Sequence, residues 1–222
     1  MKALCAVLCL GLLSVCRAAP LTCDQLLMVT QHHDLNFAGK WYVHAVSTDS
    51  CAISSFLNTF MKPSVVLDAV YKEAPNSYEV TTTLKTLSYC MNETESVSFD
   101  KTSVTTQNGN KSDETYHLLH SSCSDCTVWK MDGLVKVLLL YSRKTTIDAA
   151  DLKEFETQAA CLNLPQPLQF NNDYDVSNCK DIEESPTDEE TTILAQRLEK
   201  FLSELVECLV QYIRSWVMSS FS

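Results

Sequence analysis

Positive charge is scarce in this sequence. Seventeen lysines and arginines stand against 28 aspartates and glutamates in 222 residues, a formal balance of −11. A surface so poor in cations argues against nucleic acid as a partner, since phosphate recognition rests on clustered Lys and Arg. Long hydrophobic runs are lacking as well. The N-terminal apolar run is too short to span a bilayer and the apolar stretch near the C terminus is interrupted by charges, so no transmembrane segment is expected. Internal repeats and low-complexity tracts are absent. Histidines at metal-ligand spacing are missing too: His32 and His33 are adjacent and diverge, while His117 and His120 fall on opposite faces of a strand. From these absences no metal or other cofactor and no catalysis is expected.

The N terminus, MKALCAVLCLGLLSVCRAA, has a basic start, an apolar run and a small-residue end, with Cys16 and Ala18 at the positions a signal peptidase reads. The expectation is a secretory signal peptide over residues 1–18 and an extracellular mature chain. Loss of Lys2 and Arg17 with it moves the formal balance from −11 to −13. Eight cysteines remain: Cys23, Cys51, Cys90, Cys123, Cys126, Cys161, Cys179 and Cys208. An even number in an exported chain reads as disulfides, although on the order of a hundred pairings are open to eight cysteines. Asn92-Glu-Thr and Asn110-Lys-Ser are glycosylation acceptors and are expected at the surface.

From Gly39 to about Arg143 the chain consists of short alternating or β-branched runs, such as WYVHAVS, SVVLDAVY, SYEVTTTLKT, CTVWKM and VKVLLLYSR. Turn residues in EAPN, QNGNKSD and MDG separate them. Seven or eight such runs predict an all-β sandwich or barrel. The pattern then changes to TIDAADLKEFETQAACL, where Leu152, Phe155 and Ala159 recur at helical spacing and Asp148 is placed to cap. NDYDVS offers a short extra strand. Residues 183–190 read as an acidic linker, and 191–219 as an amphipathic helix with Leu194, Leu198, Phe201, Leu205, Cys208 and Tyr212 on one stripe. Leu202, Leu209, Ile213 and Trp216 widen that stripe. It can pack on the barrel, self-associate or form a disulfide through Cys208, or bind a lipid surface such as a lipoprotein particle.

Two of these runs resemble a known family. NFAGKWYV is similar to the Gly-x-Trp signature of the lipocalins, and LLLYSRK resembles the motif that closes their last long strand, with Arg143 as its arginine. The resemblance spans residues 23 to 180. It implies an eight-stranded antiparallel barrel with one flanking helix, filling residues 19–182, that holds small apolar molecules. Gly39 then allows close passage of the chain, and Trp41 under the Arg143 guanidinium closes the narrow end, with a cation–π contribution of about 0.5–2 kcal/mol. These are structural rather than catalytic roles. The cysteine placement resembles α-1-acid glycoprotein and apolipoprotein M-type plasma lipocalins, and implies Cys23–Cys161 and Cys90–Cys179. LLHSSCSDC is also similar to fish toxin-binding lipocalins. Cys123 is left to pair with Cys126, Cys51 or Cys208. A redox role for Cys123 and Cys126 is set aside because no βαβ pattern surrounds them. One lipocalin subgroup is enzymatic through a cysteine inside the cup, but Cys51 follows the first strand and has no evident base. Nothing between Glu114 and Trp129 matches the family's middle motif, which marks an outlier lipocalin.

Strand parity predicts the ligand-facing side chains. If Asn92 points outward, Met91, Glu93, Glu95, Val97 and Phe99 point inward. Tyr78, Val80, Thr82 and Leu84 form the inner set of the preceding strand, and Val135, Val137, Leu139 and Tyr141 that of the last. Between Tyr116, Leu118, His120 and the alternative His117, Leu119, parity does not choose. Glu93 and Glu95 near the mouth favour a basic or amphipathic ligand over a fatty acid. The expected function is a secreted, glycosylated plasma carrier of a small hydrophobic or amphipathic lipid, drug or toxin. The alternative implied by the resemblance is a lipoprotein-associated carrier of sphingosine-1-phosphate and related lipids, anchored by the C-terminal helix.

Overall fold

Alternation of inward and outward side chains carries the chain through eight consecutive antiparallel strands in the computed structural model, which describes residues 21–30, 36–73, 76–100, 102–107, 114–181 and 183–220. The expected signal peptide, His32, His33 and Asn110 lie outside the described residues. After a short helix α1 (Cys23–Leu26) come β1 (Gly39–Thr48), β2 (Ser64–Tyr71), β3 (Ser77–Thr86) and β4 (Tyr89–Phe99). Then follow β5 (Ser103–Gln107), β6 (Glu114–Leu119), β7 (Cys126–Met131) and β8 (Val137–Ser142). Each strand pairs with the next, and β1 pairs with both β2 and β8, so the sheet closes into a barrel without free edges along its wall. The turn between β3 and β4 is two residues long and sets Leu87 at a φ of 53°, a left-handed backbone reached here without glycine.

The barrel has two apolar layers, one inside and one outside. Tyr78, Val80, Val97, Val104, Leu118 and Trp129 are buried within it. On the outside of β6, β7 and β8, Leu119, Val128, Leu138 and Leu140 are covered by Phe155 and Ala159 of helix α3 (Ala149–Cys161). Full burial of each such side chain stabilises by about 1.5–3 kcal/mol. Because both faces of β8 are covered, its sequence reads as a continuous apolar run rather than a clean alternation. Gln158, also buried on α3, donates from Nε2 to the carbonyls of Leu26 (2.9 Å) and His120 (2.7 Å), fixing the helix against the barrel. Asp148 takes the N-cap position, but its carboxylate makes no capping hydrogen bond.

Several elements differ from the sequence expectation. NDYDVS is not a strand; the added strand is β9 (Leu168–Gln169), which pairs with β1 where β2 leaves it. Tyr174 of that stretch instead donates its hydroxyl to the Val43 carbonyl at 3.0 Å. The β1–β2 connection is helical, with α2 (Cys51–Ser55) running into a π-helical segment, Phe56–Met61. The C-terminal helix α4 spans Asp188–Ser220, so it begins inside the segment read as linker. Its start is set by a capping box: the Thr187 hydroxyl accepts from the Glu190 amide at 3.2 Å, and Glu190 accepts from the Thr187 amide at 2.8 Å.

Four disulfides join Cys23–Cys161, Cys90–Cys179, Cys51–Cys208 and Cys123–Cys126. The first ties α1 to α3. The third ties α2 to α4.

Candidate functional site

One end of the barrel is sealed by the residues around Gly39. Its φ of 93° suits glycine, and a Cβ there would lie 3.2 Å from Arg143 Nη1. That close approach lets Arg143 lie on Trp41, with the guanidinium carbon 3.9 Å from the ring centre. Trp41 Nε1 donates to the Phe37 carbonyl at 3.0 Å. Phe37 stacks on Trp41 at 5.1 Å and touches Phe99 (4.4 Å) and Trp129 (5.3 Å), and Tyr78 meets Phe99 at 5.1 Å. The closed end is therefore a floor of five aromatic rings.

Above this floor the barrel holds a cavity of about 230 Å³. Of the predicted inner residues, Val80, Thr82, Glu95, Val97, Phe99, Leu139 and Tyr141 line it. Tyr78 lies within the aromatic floor. Leu84, Met91, Glu93 and Val137 are not among the lining residues; Leu84, Glu93 and Val137 each lie two residues closer to the open end on their strand than the last lining residue, and Met91 four. Glu93 stands opposite Thr82 and is exposed, whereas Glu95 stands opposite Val80 on the cavity wall. Asn92 is exposed.

The lining also includes residues that the sequence did not single out. Val65, Leu67 and Ala69 come from the alternation of SVVLDAVY, and Tyr116 resolves the ambiguous parity of β6. Val104, Thr106 and Trp129 complete the far wall. Phe37 and Phe170 lie outside the strands, where parity gives no signal. Phe170 is shared with a second, more polar groove of about 460 Å³ at the rim, lined also by Leu57, Lys62, Asn171 and Arg197.

Glu95 is the single charged side chain among the described lining residues. Burial pushes the phenol of Tyr141 well above its ordinary range, and the negative charge of Glu95 adds to that push. The cup thus combines a largely apolar wall with the hydroxyls of Thr82, Thr106, Tyr116 and a neutral Tyr141, and one carboxylate. Among the described residues, Cys123, Cys126 and Asp151 place three potential ligand atoms within 4.8 Å of one another, but both sulfurs are in a disulfide and supply no thiolate. Cys51 is likewise bonded, to Cys208, and is not part of the cavity wall.

The open end carries helix α4 along its rim. Near its start, Glu190 accepts from the Ser88 hydroxyl and bonds Lys180 Nζ at 2.9 Å, fastening the helix to the β3–β4 turn. Further on, Arg197 donates to the Phe60 carbonyl (3.2 Å), the Thr59 hydroxyl donates to Glu204 (2.7 Å), and Phe201 meets Phe56 and Phe60. The Cys51–Cys208 bond completes this attachment.

No family model and no curated protein matches the chain. Solved structures do. The siderocalin Ex-FABP, described as functioning through dual ligand specificities, superposes with a TM-score of 0.52 at 17% identity, over 68% of this chain and 97% of that one. The fold is that of a lipocalin. A dog lipocalin allergen is similar at 13% identity, over 66% of this chain and 99% of its own, with a TM-score of 0.49. Bovine odorant binding protein is similar at 10% identity over 64% and 97%, with a TM-score of 0.46. About a third of this chain lies outside the superposition on Ex-FABP.

Proposed function

We propose that this chain is a secreted lipocalin-type carrier that binds a small hydrophobic or amphipathic molecule in its cup, reversibly and without chemistry. The carrying observation is the 230 Å³ apolar cavity with Glu95 on its wall. Apolar walls with a few placed polar groups are what small-molecule sites use. A cationic headgroup entering this cup gains from Glu95 and from the aromatic faces, about 0.5–2 kcal/mol for a cation–π contact. A fatty carboxylate beside Glu95 costs several kcal/mol unless something pairs it. The ligand class is therefore basic amphiphiles, which include drugs, toxins and lipid amines. Membership of the α-1-acid glycoprotein and apolipoprotein M-type group, glycosylation at Asn92 and Asn110, and circulation in plasma belong to the same proposal.

Trp41 and Trp129 both line the cavity, so their fluorescence reports its filling. Titration with an apolar amine, a matched alcohol and a matched fatty acid is expected to rank affinity in that order. Absence of any quenching by all three overturns the carrier reading. Native mass spectrometry of protein from its source fluid identifies the cargo itself.

A second reading, carriage of sphingosine-1-phosphate and related lipids on lipoprotein particles, draws on the exposed apolar residues of α4. Flotation of the protein with lipoprotein supports it, and recovery only in the lipid-free fraction removes it.

A further inference from the structure

The wide apolar stripe of helix α4 divides into two adjoining parts. One carries Leu194, Phe201, Leu205 and Cys208 and is half-buried against α2 and the π-helical segment. The other, roughly a quarter-turn round the helix and adjoining the first at Leu198, carries Leu198, Leu202, Val206, Leu209, Ile213 and Val217, which are between 38% and 59% exposed, with Val210 on its far edge. A helix that needed only to pack on the barrel would be polar there.

The order of this second stripe is informative. Its intervals are four, four, three, four and four residues, so it reads the same from either end. A two-fold axis between Glu207 and Cys208 exchanges Leu198 with Val217, Leu202 with Ile213, and Val206 with Leu209. Such palindromic spacing suits isologous pairing of one helix with an antiparallel copy of itself, because a two-fold interface sets each residue against its mirror position. Intervals of three and four keep the seam on one side of both helices.

Charge agrees with this arrangement. Glu199 and Arg214 lie on the same shoulder of the stripe, and in the antiparallel pair each Glu199 faces the Arg214 of the other copy, offset by about 3 Å along the axis. A lipid-seeking helix instead surrounds its apolar face with cations. On α4, Arg197 is engaged with the Phe60 carbonyl, Lys200 lies 3.8 Å from Glu204, and Arg214 is the remaining basic residue.

We infer that the exposed face of α4 is a homodimer interface, in which two copies of this chain pair their α4 helices antiparallel about a two-fold axis between Glu207 and Cys208. The inference is independent of what the cup carries. The Cys51–Cys208 disulfide fastens the helix at the level of the axis, through its packed side.

The test uses the full, oxidised chain in sedimentation equilibrium, with far-ultraviolet circular dichroism as the control for folding. The parent is expected to sediment as a dimer. Leu202→Lys and Ile213→Glu, both at exposed positions, are each expected to weaken the dimer about a hundredfold, since every dimer contains the change twice. The double variant Leu202→Lys/Ile213→Glu is expected to recover dimerisation, because antiparallel pairing sets each introduced lysine against an introduced glutamate. A parallel pair sets like charges together and gives no recovery. Failure of the double variant to dimerise overturns the antiparallel arrangement. A parent that is monomeric at all concentrations, or a monomer that floats with phosphatidylcholine vesicles, overturns the interface.

Discussion

Arg143 lies with its guanidinium carbon 3.9 Å from the centre of the Trp41 ring and donates to three backbone carbonyls, those of Ala38 (2.7 Å), Lys40 (3.2 Å) and Asn36 (2.6 Å). One side chain thus ties the end of the last barrel strand to the beginning of the first. It also covers the indole that would otherwise be wet at the barrel's base. The pair is a closure device, and its loss should be felt in stability before it is felt in binding.

Arg143→Met is expected to lower the unfolding free energy by about 2–4 kcal/mol, since it strands carbonyls and removes the cation over Trp41. Gly39→Ala is expected to cost about 1–3 kcal/mol through its positive φ and its contact with Arg143. Urea titration measures both, and ligand affinity should be retained by the folded fraction.

Glu95→Gln should weaken binding of an apolar amine about tenfold or more while leaving a matched alcohol unchanged and improving a matched fatty acid. Equal effects on all three would show that Glu95 shapes the cup without reading charge. The same variant should let the Tyr141 phenol ionise at lower pH, because one of the two influences that hold it up is gone.

Alkali should unfold the protein through two half-buried tyrosines. Tyr174 is pushed from its ordinary value near 10 up to about 12 by burial, with Tyr42 adding to it, and Tyr141 is pushed up as well. A raised folded value means that the stabilisation is complete below pH 10 and is lost as pH climbs toward the folded value. Unfolding free energy measured against pH should fall from pH 10 upward, and less steeply in Tyr141→Phe.

At the acid end Asp173, beside Lys85, and Asp175, beside Ser177, are held down, and Glu190 most of all: its carboxyl is lowered from its ordinary 4.5 to about 2, chiefly by the Ser88 hydroxyl and then by the Thr187 amide. Its contribution is present above 4.5 and disappears as pH falls toward 2. Amide hydrogen exchange in the first turns of α4 should lose protection over that window, and Glu190→Gln should show the loss already at neutral pH.

Removing the rim tether by Cys51→Ser/Cys208→Ser should reduce stability by about 2–5 kcal/mol, as expected for a bond that closes a separation of 157 residues. Limited proteolysis should then cut within residues 188–220 first, while cup binding persists.

The container was easier to read than its exact depth. Gly39, Trp41 and Arg143 announce the closed end because few other reasons place a glycine, an indole and an arginine at the two ends of a strand set. Parity located Glu95, Val97 and Phe99 on the inner wall, yet it also pointed to Met91 and Glu93 on the same face. Parity names a face but not a height: the register sets Thr82 beside Glu93, yet the cavity wall takes Thr82 from β3 and ends at Glu95 on β4. Phe37 and Phe170 were invisible because they belong to segments without a repeating direction. Parity could not separate the two sides of β6 because both are apolar: Tyr116 faces the cup and Leu119 faces α3. The beginning of α4 was legible in Thr187-Asp-Glu-Glu190, a capping box hidden inside what composition suggested was a flexible acidic linker.

Fastening α4 at two points, by Glu190 on the β3–β4 turn and by Cys208 on α2, has a bearing on traffic. In the oxidised protein this helix cannot swing aside as a whole. A molecule reaching the cup has to slip past side chains instead, and Phe170, which borders both the rim groove and the cavity, is the one standing in that passage. The size of the group at residue 170 should then govern how quickly cargo exchanges, and its affinity much less.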